Sequence, residues 1–303
     1  MLNPILSFSA TRRMRSFKTM LIVIAYMAAL LLLSFVFLSV FTGKEVGLNQ
    51  LTRSPLCYLA LLAAQFALII LIAPAMSAGA VAGERERQTL DLLLVTNTGS
   101  FRIVAGKVME SFAILGLLIV CGLPVMSLCL LTGGVTITYI LMGELFLLAE
   151  AFACISVGVF FSSVSRSTVV STILSYVFIL LFGLVTALPF LFGYPMSITD
   201  VVYDKKLYAA LDAGGARAMI NPLLYMNPGF GLIALIQMQS HAFSSLAENL
   251  GWGRLLCTWR MADRAGWGAV ALISACAMIL IAAVLLAVAT LMIRRKKSVA
   301  VKS

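Results

Sequence analysis

Long apolar runs alternate with short polar segments along the whole chain. The runs cover about Met20 to Phe41, Leu56 to Ala82, Ile103 to Leu131, Thr138 to Phe161, Val169 to Phe192 and Trp267 to Ile293. Each is long enough to cross the ~30 Å hydrocarbon layer of a bilayer as a helix. Hydrocarbon offers no water to backbone polar groups, so a span must bond them internally, as a helix does. The pattern therefore predicts an all-α integral membrane protein with six transmembrane helices, the third interrupted by Pro124. The first run exceeds the ~7–15 apolar residues of a signal peptide and lacks a small-residue cleavage site, so it reads as a retained span. Before it, Ile5, Leu6 and Phe8 mix with polar residues, and Met14 and Phe17 with basic ones. That mixture suits a short helix lying in the membrane interface.

Composition agrees with the pattern. The chain is 62% hydrophobic and 11% charged, against ~45–50% and ~25% for soluble domains, so both departures point to the bilayer as solvent. One membrane domain, residues 1–303, is expected.

The formal charge of +10 matters through its distribution. Arg12, Arg13, Arg15, Lys18, Arg85, Arg87, Arg102, Lys107, Arg166 and the Arg294–Lys297 tail lie on one side of a six-span topology. The opposite short loops hold only Lys44 and Arg53. Basic residues accumulate on the cytoplasmic side, which places both termini there in a multi-pass protein of the cell membrane. The charge thus orients the chain in lipid and does not mark a nucleic-acid surface. The long loop at 193–266 is expected outside. Its apolar piece from Ala218 to Met238 is broken by Asn221-Pro222 and Asn227-Pro228, and a seventh span would put the basic tail outside. A re-entrant or interfacial helix is expected there. Trp252, Trp259 and Trp267 suit an aromatic belt at the same interface.

The segment between the second and third runs carries the densest candidate chemistry. Gly83, Glu84, Arg85, Glu86 and Arg87 are too polar for hydrocarbon, so the chain is expected to leave the membrane near Gly83. Glu84 and Arg87 are spaced to pair on one helical face. Leu90, Leu93 and Leu94 recur at helical spacing and predict a short amphipathic helix. Thr96 to Ser100 is a turn cluster, with Ser100 as the expected cap of the next helix. The result is a cytoplasmic elbow over 83–100. On physics alone an ordinary solvated loop would read the same way.

The quoted stretch AGERERQTLDLLLVTNTGSFRIVAGKV resembles the segment after the second span in permeases of the ABC type-2 transporter family. Gly83, Glu84, Arg85, Glu86, Gln88, Thr89, Leu90, Asp91, Leu93, Leu94, Gly106 and Lys107 match its pattern. The chain departs at Asn97, where members often have proline. The opening NPILSFSATRRMRS, the six spans and NPLLYMNPGFG in the last outer loop also resemble the family. The resemblance implies an exporter permease whose elbow contacts a separate ATP-binding-cassette ATPase subunit, with Gly83 to Arg87, Thr89, Leu90, Leu93 and Leu94 as coupling residues. It also implies a second permease chain, identical or homologous, to complete the pathway. ATP would bind the partner and no cofactor this chain. A phosphate loop needs Gly-x-x-x-x-Gly-Lys-(Ser or Thr); around Gly106-Lys107 the outer positions are Phe101 and Val108.

Glu144 and Glu150 fall inside the fourth run. A charge at mid-bilayer costs ~2.5–3.5 kcal/mol on insertion scales, so each should face protein or water, or be protonated. Six residues turn a helix by ~600°, so the two do not share a face. They are either contacts for substrate or cation, or neutral acids bonded to a neighbouring helix. An ion-coupled secondary transporter or channel using both is the alternative function; it predicts inverted repeats and broken mid-membrane helices, and no repeat is evident. Gly79 and Gly83 form a Gly-x-x-x-Gly that permits close helix packing or a dimer contact. An intramembrane enzyme is disfavoured: the single histidine, His241, supplies neither a multi-histidine metal site nor a base inside the membrane. The six cysteines form no Cys-x-x-Cys pair and read as small buried hydrophobes; nothing in the sequence supports a disulfide between Cys57 and Cys257.

Overall fold

A computed structural model describes residues 17–41, 49–88, 99–131, 135–198, 225–239 and 267–300. They form α1 (Phe17–Phe41), α2 (Asn49–Ser77), α3 (Gly79–Glu86), α4 (Ser100–Leu131), α5 (Ile137–Val164), α6 (Thr168–Ile198), α7 (Pro228–Gln239) and α8 (Trp267–Ala300). No strand occurs among the described residues. Six stretches are long and apolar enough to cross a membrane, lying in α1, α2 with α3, α4, α5, α6 and α8. The all-α, six-span expectation holds. The predicted N-terminal interface helix, before Phe17, lies outside the described residues.

Pro124 does not interrupt the third span. Helix α4 runs unbroken through it from Ser100 to Leu131. Proline removes one N–H and crowds the preceding turn, and in a bilayer neighbouring groups can absorb that loss. Nor is Ser100 the cap of α4. Arg102 and Ile103 donate their N–H groups to the Gly99 carbonyl at 2.9 and 3.2 Å, so Gly99 occupies the cap position and Ser100 is already helical.

The chain divides into two compact units, one of residues 1–179 with 279–303 and the other of 180–278. In the first, α5 is the central element, packed against α2, α3 and α4, while α1 packs on α2 and α4. Phe112 of α4 meets Phe152 of α5 edge-on, with centroids 6.0 Å apart. Gly143 and Gly158 let α5 approach its neighbours. A Cβ at Gly158 would lie 1.9 Å from Ser77 Oγ and 3.2 Å from the Ala78 nitrogen. By contrast, the first turns of α6 expose Val169, Val170, Ile173 and Val177, the apolar surface a lipid-facing helix needs.

In the second unit, α7 is twelve residues long, about 18 Å at 1.5 Å per residue, too short to span. Within the expected apolar piece from Ala218, Tyr225 is helical, the helix is interrupted at Met226 and Asn227, and α7 starts at Pro228. Asn227-Pro228 marks the expected break and also begins this helix. Asn227 Oδ1 accepts from the Phe230 N–H at 3.1 Å, and Pro228 fits the first helical position because no N–H is required there. The Asn227 amide also donates to the Gly183 carbonyl at 3.0 Å and Thr186 Oγ1 at 2.9 Å. Ser274 Oγ donates to the Asn227 carbonyl at 3.5 Å. One asparagine thus ties α7 to α6 and α8 with its own polar groups bonded, as burial demands.

Candidate functional site

The second span runs as helix a few residues past Gly83, through the charged residues that follow it. Its helix bends at Ala78 and continues as α3 to Glu86. Pro74 and Ser77 explain the bend. Pro74 cannot donate to the preceding turn, and Ser77 Oγ donates back to the Ala73 carbonyl at 2.8 Å, a bond that bends helices. The restarted helix needs partners for its first N–H groups, and Ala78 has no side chain to supply them. Ser162 of α5 does so instead, accepting from Val81 and Ala82 at 2.8 and 2.9 Å.

The charges that follow are bound within the chain. Glu84 meets Lys107 of α4 at 2.5 Å, and Lys107 also lies 3.8 Å from Glu110. Arg85 donates to the carbonyls of Ser163, at 3.2 Å, and Ser165. Those carbonyls close α5, whose last acceptors lack intrahelical partners. Glu86 accepts from Thr168, from its N–H at 2.8 Å and from Oγ1 at 2.9 and 3.2 Å, and so caps the start of α6. The residues of the expected Gly-x-x-x-Gly, Gly79 and Gly83, face the Thr168 methyl: a Cβ on either would lie 3.7 or 3.4 Å from it. That stripe packs inside the chain. Three consecutive charged residues therefore join α3 to α4, to the end of α5 and to the start of α6.

Arg87 and Gln88 are exposed at the end of this joint. Gln88 has φ 57°, the left-handed conformation that ends helices and that glycine adopts most readily. Thr89, Leu90, Leu93 and Leu94 lie outside the described residues.

Farther along the bundle, Glu144 and Glu150 are both buried, on separate faces of α5 and with different partners. Glu144 Oε2 accepts from the Gln65 Nε2 of α2 at 3.1 Å. Glu150 Oε1 accepts from Cys154 Sγ at 3.8 Å, a bond to its own helix rather than to a neighbouring one. A Cβ on Gly122 of α4 would lie 2.7 Å from Gln65 Nε2 and 3.4 Å from the Tyr26 hydroxyl of α1. Four helices thus bring polar or small groups to one level. Sequence reading passed over Gln65 and Tyr26. A lone glutamine in an apolar run was the available signal, since such a residue needs a partner in hydrocarbon.

A family model described as ABC-2 family transporter protein matches residues 63–297. No curated protein sequence matches the chain closely enough to stand as a relative.

Proposed function

Because the chain belongs to the ABC-2 family of transporter proteins, we propose that it forms the translocation pathway of an exporter driven by a separate ATPase subunit. It is a multi-pass membrane permease component of an ABC transporter, a transport subunit and not itself an enzyme. The ATPase docks on the segment that begins at Arg87 and Gln88 and continues through the Leu90, Leu93 and Leu94 ridge. Both termini are cytoplasmic, and a second permease chain completes the pathway in the cell membrane. The basic-residue asymmetry supports the first of these statements and the family resemblance the second.

The observation that carries the coupling reading is the wiring of α3. Glu84, Arg85 and Glu86 bind α4, α5 and α6 of their own chain, so a push on the exposed end of α3 reaches three spans together. The division of labour follows. The leucine ridge provides partner affinity, each leucine contributing ~1.5–3 kcal/mol if fully buried. The charged residues transmit the movement rather than bind the partner.

The test is paired copurification and ATPase measurement on the complex. Leu90→Ser with Leu93→Ser is expected to weaken copurification of the ATPase. Arg85→Ala is expected to keep copurification and to lower transport-stimulated ATP hydrolysis. Lys205→Ala, in the long loop, is the control. If the leucine variant copurifies as the control does, the docking assignment is wrong.

A further inference from the structure

Gln65 and Glu144 share one hydrogen bond and leave one orphan on each side. Gln65 Nε2 donates to Glu144 Oε2 at 3.1 Å. Among the described residues, Gln65 Oε1 and Glu144 Oε1 have no hydrogen-bond partner, although the two residues are only 0% and 5% exposed. An amide oxygen accepts only, and so does an ionised carboxylate. Two buried acceptors of one bonded pair are then unserved, an arrangement native interiors avoid.

One proton resolves both. Placed on Glu144 Oε1, it turns that oxygen into a donor, and the amide oxygen of Gln65 is an acceptor it can use. With the existing bond, two antiparallel hydrogen bonds would then close a ring. With the amide turned over, its oxygen would face Glu144 Oε2, and that contact also needs an acid proton. We propose that Glu144 and Gln65 hold one proton between them, as a neutral carboxylic acid closed against a carboxamide. This is an intramembrane proton-binding site linking α5 to α2.

The surroundings favour a proton over a metal cation. Helix α5 has no basic residue, and neither do Thr19–Phe41 of α1, Ser54–Ser77 of α2 or Val108–Leu131 of α4. These stretches therefore supply no positive side chain to offset an ionised carboxylate in hydrocarbon. The Tyr26 hydroxyl of α1 interacts with both Glu144 and Gln65, and Cys121 of α4 lies near Tyr26; neither carries positive charge. A hard cation takes about six oxygen ligands. Here the packing is too close for them, since even a methyl on Gly122 would meet Gln65 Nε2 at 2.7 Å. A proton needs no such room.

Infrared difference spectroscopy of the full-length chain in lipid nanodiscs tests this. A protonated carboxyl gives a carbonyl band above the amide region that shifts on deuteration. At neutral pH the wild type is expected to show one such band that Glu144→Gln removes and Glu150→Gln keeps. Glu144→Gln preserves the ring as an amide pair, so folding is expected to be retained. Gln65→Leu is the second variant, expected to keep the Glu144 band but move it to higher frequency as the acid loses its acceptor. Absence of any band specific to Glu144 overturns the proposal. So does an unmoved band in Gln65→Leu, or a Glu144 carboxylate band that shifts with added sodium or potassium.

Discussion

At the α3 end of the first unit, Glu84, Arg85 and Glu86 meet partners on three other elements. Along α5, Glu144 and Glu150 are more deeply buried, and each bonds a single side chain: Gln65 of α2 for Glu144, and Cys154 of its own helix for Glu150. The difference follows from where each region lies. Helix ends expose backbone donors and acceptors that charged side chains can satisfy. In mid-helix the backbone is already paired, so a buried carboxyl depends on another side chain or on a proton. The first region is a joint, held by an ion pair and by bonds to helix ends. The second is a place where the protonation state decides the bonding.

The comparison can be broken most forcefully at the joint. Gly158→Ala puts a Cβ 1.9 Å from Ser77 Oγ and 3.2 Å from the Ala78 nitrogen, and rigid backbone leaves little room to yield. A loss of ~2–3 kcal/mol is expected from such overpacking, measured by denaturant unfolding in mixed micelles. If the variant is as stable as the wild type, α2 and α5 are not in this contact.

Arg85→Ala should come next. It removes the donor from two carbonyls at the end of α5. Charge-assisted bonds contribute ~1.5–3 kcal/mol, and partial exposure argues for the lower part of that range. Arg85→Lys, with no planar fork to reach both carbonyls, should recover only part of the loss. Full recovery by lysine would show that charge alone holds the joint.

Glu144→Leu should cost ~1–2 kcal/mol, because it strands the Gln65 amide in hydrocarbon. Glu144→Gln should fall within ~0.5 kcal/mol of wild type, since it replaces a neutral acid by a neutral amide. The contrast between the two variants, read by unfolding in the same micelles, sharpens the comparison. Equal losses would mean that Glu144 is used in its charged form.

The smallest effect is expected at Gln88. Its φ of 57° costs an L-residue ~1–2 kcal/mol, and glycine's greater unfolded freedom returns part of that. Gln88→Gly should therefore stabilise by ~0.5–1 kcal/mol. A destabilised variant would indicate that the Gln88 side chain has a role beyond ending the helix.

By itself the sequence determined the fold class, the number of spans and their approximate limits. Those follow from length and hydropathy, because hydrocarbon forces each apolar run into a helix that satisfies its own backbone. It also marked the Gly83–Arg87 segment and the two intramembrane glutamates, since charge stands out in an apolar background. Which groups those residues touch was decided only by tertiary packing. Spacing suggested that Glu84 would pair with Arg87, but the structure sets Glu84 on Lys107 because α4 begins alongside α3. Pro124 read as an interruption and lies inside an unbroken helix; Asn227-Pro228 read as a break, and packing makes it the cap of the helix that follows as well. Ser162 supplies the missing cap of α3 from a helix about eighty residues away in sequence. Gln65 became meaningful only once α2 lay against α5. Periodicity along one chain segment reports which face is apolar. It carries no information on which distant helix will meet a polar group on that face, because that choice belongs to the packing of the whole bundle.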